Sequence, residues 1–143
     1  MVAELVARAG PLIASKGQTL VITGDVGKVR VDEDLMIRAV QNLLDNCCKY
    51  APPRSEIELS LELAGDKVML AVADRGPGIP DEAKQKIFDL YTRLERDTQQ
   101  HTRTSRGVGL AFCKLALAAH EGEIWVEDRE GGGSVFRCRW PAR

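Results

Sequence analysis

The sequence predicts an α/β fold, a two-layer sandwich in which helices cover one face of a mixed, mostly antiparallel sheet. Two kinds of pattern predict it. Some segments repeat apolar residues at helical spacing, and shorter segments alternate apolar and polar residues between glycine-containing turns. The chain has 143 residues, of which 44% are hydrophobic and 29% charged, which is enough for the core of one domain over residues 1–143.

The first elements are a helix and two short strands. Apolar residues at helical spacing predict a helix from residue 2 to residue 13, which Gly10-Pro11 should kink or divide and Gly17 should end. Thr19 to Ile22 and Lys28 to Val31 predict short strands around a turn at Gly24-Asp25.

A second, longer helix follows. Asp32 or Asp34 can cap its first turn, and it should stop before Pro52-Pro53. Its apolar residues share one side, which we expect to be buried. This stripe comprises Leu35, Met36, Ala39, Val40, Leu43, Leu44 and Cys47.

The centre of the chain predicts two paired strands. They run from Glu56 to Leu63 and from Lys67 to Asp74, with a turn at Gly65-Asp66. In the first strand apolar residues alternate with charged or polar ones, so we expect one face of the sheet to be solvated.

The last third predicts two helices and a hairpin. A short helix should run from Pro80 to about Leu90, and another from Ala111 to His120. Between them, residues 92–106 are polar and rich in arginine, and we interpret them as a mobile segment. Strands from Ile124 to Asp128 and from Ser134 to Trp140 should form the final hairpin.

Composition excludes several classes of protein. The net charge of -1 and the pI of about 6.1 argue against nucleic-acid binding. No apolar run is long enough to span a membrane, and the N-terminus does not resemble a signal peptide. The four cysteines lack zinc-site spacing, so we expect reduced, buried thiols. We also expect a cytoplasmic domain that makes no direct membrane contact.

The first chemistry-bearing cluster lies on the second helix. Asn42 and Asn46 are four residues apart, and Lys49 and Tyr50 continue the same face. An amide oxygen suits Mg²⁺, a lysine ammonium suits phosphate, and a tyrosine ring offers an aromatic surface to a base. An amphipathic helix with a solvated polar face explains this pattern equally well.

Two glycine-containing turns form the other clusters. Asp74 ends a strand and begins the turn Asp74-Arg75-Gly76-Pro77-Gly78-Ile79-Pro80, where an ionised carboxylate could accept a hydrogen bond from an exocyclic amine. The segment Arg106-Gly107-Val108-Gly109-Leu110 opens a helix, and glycine-rich backbone at a helix N-terminus can bind phosphate. Each segment taken separately is also compatible with a plain turn.

Together, the order and spacing of these clusters resemble the histidine-kinase branch of the ATPase superfamily shared with gyrase, the heat-shock chaperones and the mismatch-repair proteins. The resemblance covers nearly the whole chain and implies a Bergerat-type ATP-binding fold. The matching segments are Asn42 to Tyr50 (asparagine box), Asp74 to Ile79 (first glycine box), Ile87 to Arg93 (phenylalanine box), Arg106 to Leu110 (second glycine box) and His120 to Ile124.

The resemblance implies roles for individual residues in binding Mg-ATP. Asn46 would coordinate Mg²⁺ beside Asn42, Lys49 would contact phosphates, and Tyr50 would border the adenine. Asp74 would bind the adenine amine. The remaining ATP-binding residues implied by the two glycine boxes are Gly76, Gly78, Ile79, Arg106, Gly107, Val108, Gly109 and Leu110.

The polar segment 92–106 would be the ATP lid. The resemblance makes Arg93, Arg96, Arg103 and Arg106 candidates for contact with the γ-phosphate, with Arg93 first because it belongs to the phenylalanine box. Solvated loop arginines are the alternative.

This chain departs from the family pattern at three positions. Ser105 replaces a common glycine, which puts lid hinging and affinity in question. Tyr91 replaces a common phenylalanine. Cys47 occupies a position that usually holds a small residue, and we expect it to be neutral.

Asn42 distinguishes between branches of the superfamily. The hydrolytic and serine-kinase branches have a glutamate at this position, one helical turn before the metal-binding asparagine, and an amide cannot take its proton. The resemblance therefore implies the ATP-binding catalytic domain of a two-component sensor histidine kinase. Such a domain phosphorylates a histidine on the dimerisation domain of the same parent kinase, and serves a response regulator indirectly.

The phosphoacceptor helices are expected upstream in a longer parent, because this chain predicts no four-helix-bundle hairpin. His120 is expected to be structural, and His101 falls in the lid. An anti-sigma-factor serine kinase and a non-catalytic ATP-binding regulatory module remain alternatives.

Overall fold

The computed structural model describes residues 2–24, 26–27, 29, 31–89 and 109–142. Its helices are α1 (Val2–Ser15), α2 (Glu33–Tyr50) and α3 (Gly109–Ala119). Its strands are β1 (Thr19–Thr23), β2 (Glu56–Ala64), β3 (Lys67–Asp74), β4 (Glu123–Asp128) and β5 (Ser134–Pro141). Two short 3-10 turns, Asp81–Ala83 and Lys86–Phe88, follow β3.

The strands form one five-stranded sheet in the order β1-β2-β3-β5-β4. β1 pairs with β2 in parallel, and the other three pairs are antiparallel. The mixed, mostly antiparallel sheet that the sequence predicts is confirmed.

The core lies between this sheet and the helices. One row of paired residues crosses the sheet from Leu59 through Val72 and Phe136 to Val126, and all four are buried. α2 packs on β3, and α1 and α3 pack against α2. The other face of β2 carries Glu58, Ser60 and Glu62, none of them buried, so the helices cover one face of this strand.

The beginning and end of α2 are set by specific hydrogen bonds. Asp32 is the N-cap, since its carboxylate accepts from the backbone N–H of Leu35 at 3.1 Å. At the other end, the side-chain amide of Gln18 donates to the carbonyls of Cys48, Ala51 and Pro52, at 3.1, 3.0 and 3.2 Å. Lys16 Nζ donates to Cys48 O at 2.7 Å and to Lys49 O at 3.1 Å. Two side chains from the α1–β1 connection therefore satisfy the last carbonyls of α2.

Two expected elements differ from the structure, and a third is tested in part. α1 is one helix that continues through Gly10-Pro11, so the expected alternative of a division is wrong, and the expected kink stays a prediction. The strand expected from Lys28 to Val31 is not found at Val29 and Val31, which belong to no strand and pack partly buried against the core; residues 28 and 30 lie outside the described residues, and β1 pairs with β2.

The expected helix from Pro80 to about Leu90 is also wrong. The two 3-10 turns replace it as far as residue 89. Ile87 and Phe88 are both buried, and the Phe88 ring packs edge-on against the Phe136 ring with 6.2 Å between the ring centroids. The backbone N–H groups of Ala83, Lys84, Phe88 and Asp89 bond to the carbonyl three residues earlier, which is the 3-10 pattern, and the extended conformation of Asp89 ends the second turn.

The four cysteines are all buried, and none is in a disulfide. Burial raises the pKa of each thiol, that of Cys138 to about 12. Within the part of the chain that the structure describes, no helix is both long enough and apolar enough to cross a bilayer.

Candidate functional site

The polar residues of α2 lie on the side of the helix away from its buried stripe. Asn42, Asn46, Lys49 and Tyr50 are each partly exposed, whereas Leu43, Leu44, Cys47 and Cys48 are fully buried between them. Lys49 Nζ lies 5.0 Å from the centroid of the Tyr50 ring. The structure therefore gathers the four polar residues along one partly open surface of α2.

The start of α3 lies against the middle of this surface. The Asn42 amide Nδ2 donates to Gly109 O at 3.2 Å. A Cβ atom at Gly109 would come 3.9 Å from Cβ of Asn42, which is ordinary contact distance, and Leu110 beside it is partly buried. The structure thus brings together Asn42 and part of the second glycine box. Arg93, Arg106, Gly107 and Val108 lie outside the described residues, as do Arg96, Arg103 and Ser105.

The Asp74 turn lies against the other end of the surface. Asp74 is the last residue of β3 and is only 4% exposed, and its Oδ1 accepts from the backbone N–H of Gly76 at 2.8 Å. A Cβ atom at Gly76 would come within 3.1 Å of both Tyr50 O and Asp74 Oδ1. Glycine therefore lets the turn approach the last turn of α2 closely. Gly78 has a φ of +80°, and Ile79 is buried beyond it.

Two further side chains adjoin the Asp74 carboxylate, and sequence reasoning did not assign either of them to the site. Cys47 is fully buried, and the pKa of its thiol lies well above the usual range, first because of burial and second because of the negative charge of Asp74. Ser134, 4% exposed, is the partner of Asp74 in the β3–β5 ladder. Partners in an antiparallel ladder have Cβ atoms about 5 Å apart. The position of Cys47 next to Asn46 in the sequence could have indicated that it lies near the site. The position of Ser134 beside Asp74 depends on a strand register that the sequence does not reveal.

The loop of the β4–β5 hairpin contacts the backbone of Asp74 and the side chain of Arg75. Arg75 Nη1 donates to Glu130 O at 2.8 Å and to Gly132 O at 3.1 Å. A Cβ atom at Gly133 would lie 2.0 Å from Asp74 O, so only glycine permits this contact. The glycines of the hairpin therefore hold the backbone of Asp74 in place.

His120 joins the end of α3 to the start of α2. Its Nε2 accepts from the backbone N–H of Asp32 at 3.0 Å, and its Nδ1, which therefore carries the proton, donates to Ala116 O at 2.8 Å. Both ring nitrogens are engaged, as expected for the structural histidine that the sequence predicts. His101 lies outside the described residues.

A model of the histidine kinase-, DNA gyrase B- and HSP90-like ATPase family matches residues 31–143. The chain belongs to this ATPase family. The family expected from the asparagine and glycine boxes is thereby confirmed.

Relatives within the ATPase family are sensor kinases. The adaptive-response sensory kinase SasA of Crocosphaera subtropica is 37% identical over 141 residues, which cover 96% of this chain and 36% of that protein. The chain thus spans about a third of the length of the curated relatives that it matches.

Solved structures of the same family share the fold. The catalytic domain of the histidine kinase ThkA is 28% identical and superposes with a TM-score of 0.84, over 99% of this chain and 90% of that domain. ThkA in complex with the response regulator protein TrrA is 26% identical, with a TM-score of 0.78 over 99% of this chain and 39% of that chain.

Proposed function

We propose that this chain is the ATP-binding catalytic domain of a two-component sensor histidine kinase, which transfers the γ-phosphoryl of Mg-ATP to a histidine on a separate dimerisation domain. One observation carries the proposal. The polar surface of α2 meets Gly109 at Asn42 and meets the Asp74 turn at Tyr50, so both glycine boxes adjoin the asparagine box.

Adenine recognition is assigned to the Asp74 end of this surface. A buried, ionised carboxylate only accepts hydrogen bonds, and it therefore selects a base that carries an amine. Gly76 keeps the approach open, because any side chain there would press on Tyr50 O and on the carboxylate itself. Tyr50, Gly78 and Ile79 would border the base.

Phosphate and metal binding are assigned to the other end. Lys49 would supply positive charge, and Gly107 and Gly109 would place backbone N–H groups at the α3 N-terminus beneath the phosphates. Mg²⁺ would be held by the amide oxygen of Asn46 together with phosphate oxygens and water, and when bound it would neutralise phosphate charge.

Asn42 favours the histidine-kinase branch. Its amide cannot accept a proton, and its Nδ2 is engaged by Gly109 O, so at this position there is no group to activate water or a serine hydroxyl. The acceptor histidine and its acidic neighbour would come from the helical domain of the same parent. The sensory-kinase relatives, of which this chain spans about a third, support that arrangement.

The rest of the proposal concerns segments and partners. Residues 92–106 would form the ATP lid of a single domain over residues 1–143, with Arg93 the first candidate for γ-phosphate contact, followed by Arg96, Arg103 and Arg106. A response regulator would receive the phosphoryl group from the acceptor histidine, as the ThkA–TrrA complex suggests for that kinase.

Nucleotide binding tests the site. Titration with a non-hydrolysable ATP analogue should give Mg²⁺-dependent binding, and Asp74→Asn should weaken it about 10- to 100-fold, the value of a hydrogen bond to a charged group. Asn46→Ala should remove the part of the affinity that EDTA removes from the wild type. Glu62→Gln, an exposed carboxylate on the solvated face of β2, is the matched control and should bind normally. Wild-type-like binding by both site variants would refute the assigned roles.

Phosphoryl transfer separates the three functions under consideration. Incubated with Mg-ATP and the dimerisation domain of its parent, the chain should yield an acid-labile, base-stable phosphohistidine. Acid-stable phosphoserine on a partner would instead identify a serine kinase. Nucleotide binding without phosphorylation of the dimerisation domain would identify a non-catalytic module.

A further inference from the structure

The loop of the β4–β5 hairpin holds the side chain of Arg75. Glu130 O and Gly132 O both accept from Arg75 Nη1, at 2.8 and 3.1 Å. A Cβ atom at Gly131 would come 3.0 Å from the same nitrogen and 3.8 Å from Arg75 Cζ, so the guanidinium lies directly against the loop backbone. Three consecutive residues of the loop therefore contact the end of one side chain.

This loop contains more glycine than a hairpin requires. Gly131, Gly132 and Gly133 all have a positive φ, of +86°, +112° and +105°. The commonest hairpin turns need at most two such residues, and each glycine adds to the entropic cost of folding. The turn that begins at Asp74 explains two of the three positions. A side chain at residue 131 would press on Arg75 Nη1, and one at residue 133 would press on Asp74 O. The backbone of the loop therefore fits the Asp74 turn.

Arg75 lies between the two groups that adenine recognition is proposed to need. It directly follows Asp74, which is only 4% exposed, and precedes Gly76, whose N–H donates to Asp74 Oδ1 at 2.8 Å. A displacement of the backbone at residue 75 moves both neighbours, because planar peptide units of fixed length join them. The bonds from Arg75 to the hairpin therefore limit the movement of the carboxylate and of the N–H that orients it.

We propose that Arg75 is a positioning residue for adenine recognition: its bonds to the β4–β5 loop keep the Asp74 carboxylate where it accepts from the amine of the base. This inference rests on the proposed function. A nucleotide that lacks the amine gains nothing from a correctly placed carboxylate. Arg75 therefore affects the preference for adenine more than it affects nucleotide affinity in general.

The test compares two nucleotides in calorimetric titrations of the 143-residue chain. One is ATP, and the other is purine riboside triphosphate, which carries hydrogen in place of the amine. Arg75→Met keeps an apolar stem and removes the donors. It should lower the preference for ATP about three- to tenfold, the value of a typical single hydrogen bond. Arg75→Lys, whose one nitrogen carries three donors, should retain most of the preference.

Arg137→Met is the matched control. Arg137 lies on β5 of the same hairpin, but its Nε donates to Glu127 Oε1 at 2.8 Å, within the hairpin, rather than joining the hairpin to the Asp74 turn. Its removal should leave the preference for ATP unchanged. An unchanged preference in Arg75→Met, including an equal loss of affinity for both nucleotides, would overturn the inference and leave the proposed function intact. Absence of nucleotide binding by the wild type would overturn both.

Two glycine variants test the same bonds with Arg75 in place. Gly131→Ala and Gly132→Ala both put a side chain at a positive φ, but only the new Cβ at residue 131 meets Arg75. Gly131→Ala should therefore lower the preference for ATP more than Gly132→Ala does, and it should have no further effect when combined with Arg75→Met. Equal preferences in the two glycine variants, or additive losses in the double variant, would overturn the inference.

Discussion

Substituting alanine for two adjacent glycines tests how the β4–β5 hairpin holds the Asp74 turn. Gly132 and Gly133 have φ angles of +112° and +105°, a region that costs a residue with a side chain on the order of 1–3 kcal/mol. The two positions differ in their surroundings. A Cβ atom at Gly132 meets nothing within 4 Å, whereas one at Gly133 would lie 2.0 Å from Asp74 O and 2.9 Å from Arg75 Cα.

The difference between the two variants isolates the contact with Asp74. Gly132→Ala should lower the free energy of unfolding by about 1–3 kcal/mol, the backbone cost. In Gly133→Ala the new atom falls more than about 1 Å short of ordinary contact distance with a backbone oxygen, which should cost about 1–3 kcal/mol more. For a domain of this size, each kcal/mol should lower Tm by about 3 °C.

Urea denaturation followed by circular dichroism measures the two free energies, and titration with the ATP analogue measures binding. Gly133→Ala should also weaken nucleotide binding, because the hairpin must push the Asp74 backbone away, and Gly132→Ala should not. Equal losses of stability in the two variants, or unchanged binding by Gly133→Ala, would refute this account of the hairpin.

Three further predictions concern stability and reactivity. Gln18→Leu should lower the free energy of unfolding by about 1–3 kcal/mol in urea denaturation, because the carbonyl of Ala51 loses its side-chain donor, while Lys16 still donates to Cys48 O and Ser55 still donates to Pro52 O; unchanged stability would contradict the role of Gln18. The four buried thiols should react with a thiol-reactive disulfide reagent only as fast as the chain unfolds, because the folded chain shields the sulfur atoms from the reagent and burial also raises their pKa values; rapid labelling of the native chain would argue against this shielding. Asp45→Asn should raise Tm at pH 7, because burial raises the pKa of the Asp45 carboxyl above its ordinary value of 3.8 and thereby disfavours the ionised carboxylate in the folded state. The gain in Tm should vanish once the pH falls below 3.8, where the carboxyl is protonated in both the folded and the unfolded states. A gain in Tm that does not depend on pH would exclude burial of the charge as its cause.

Local patterns predicted most of the fold. The predicted β3 ends at the observed residues, and α2 ends before its prolines as expected, because alternation, capping and chain breaks are properties of short segments. The predictions were wrong at Val29 and Val31 and over residues 80–89, where the structure depends on packing against distant residues. Val29 lies against the core rather than in a strand, and Phe88 is turned towards Phe136 on β5.

The sequence predicted which residues form the candidate site, but not the tertiary contacts that bring them together. Helical spacing placed Asn42 and Asn46 on one face, but the approach of Gly109 to Asn42 depends on how α3 packs on α2. Ser134 meets Asp74 only because β5, rather than β4, lies beside β3. Such contacts depend on strand order and register, which no single segment of the sequence specifies.

The hydrogen bonds from the α1–β1 connection to the last turn of α2 have a mechanical consequence. Lys16 and Gln18 donate hydrogen bonds to the carbonyls of residues 48, 49, 51 and 52, and these bonds connect the end of α1 to the Lys49–Tyr50 end of α2 directly, without the sheet between them. A rotation or translation of α1 would therefore displace Lys49 and Tyr50, the residues proposed to contact phosphate and base.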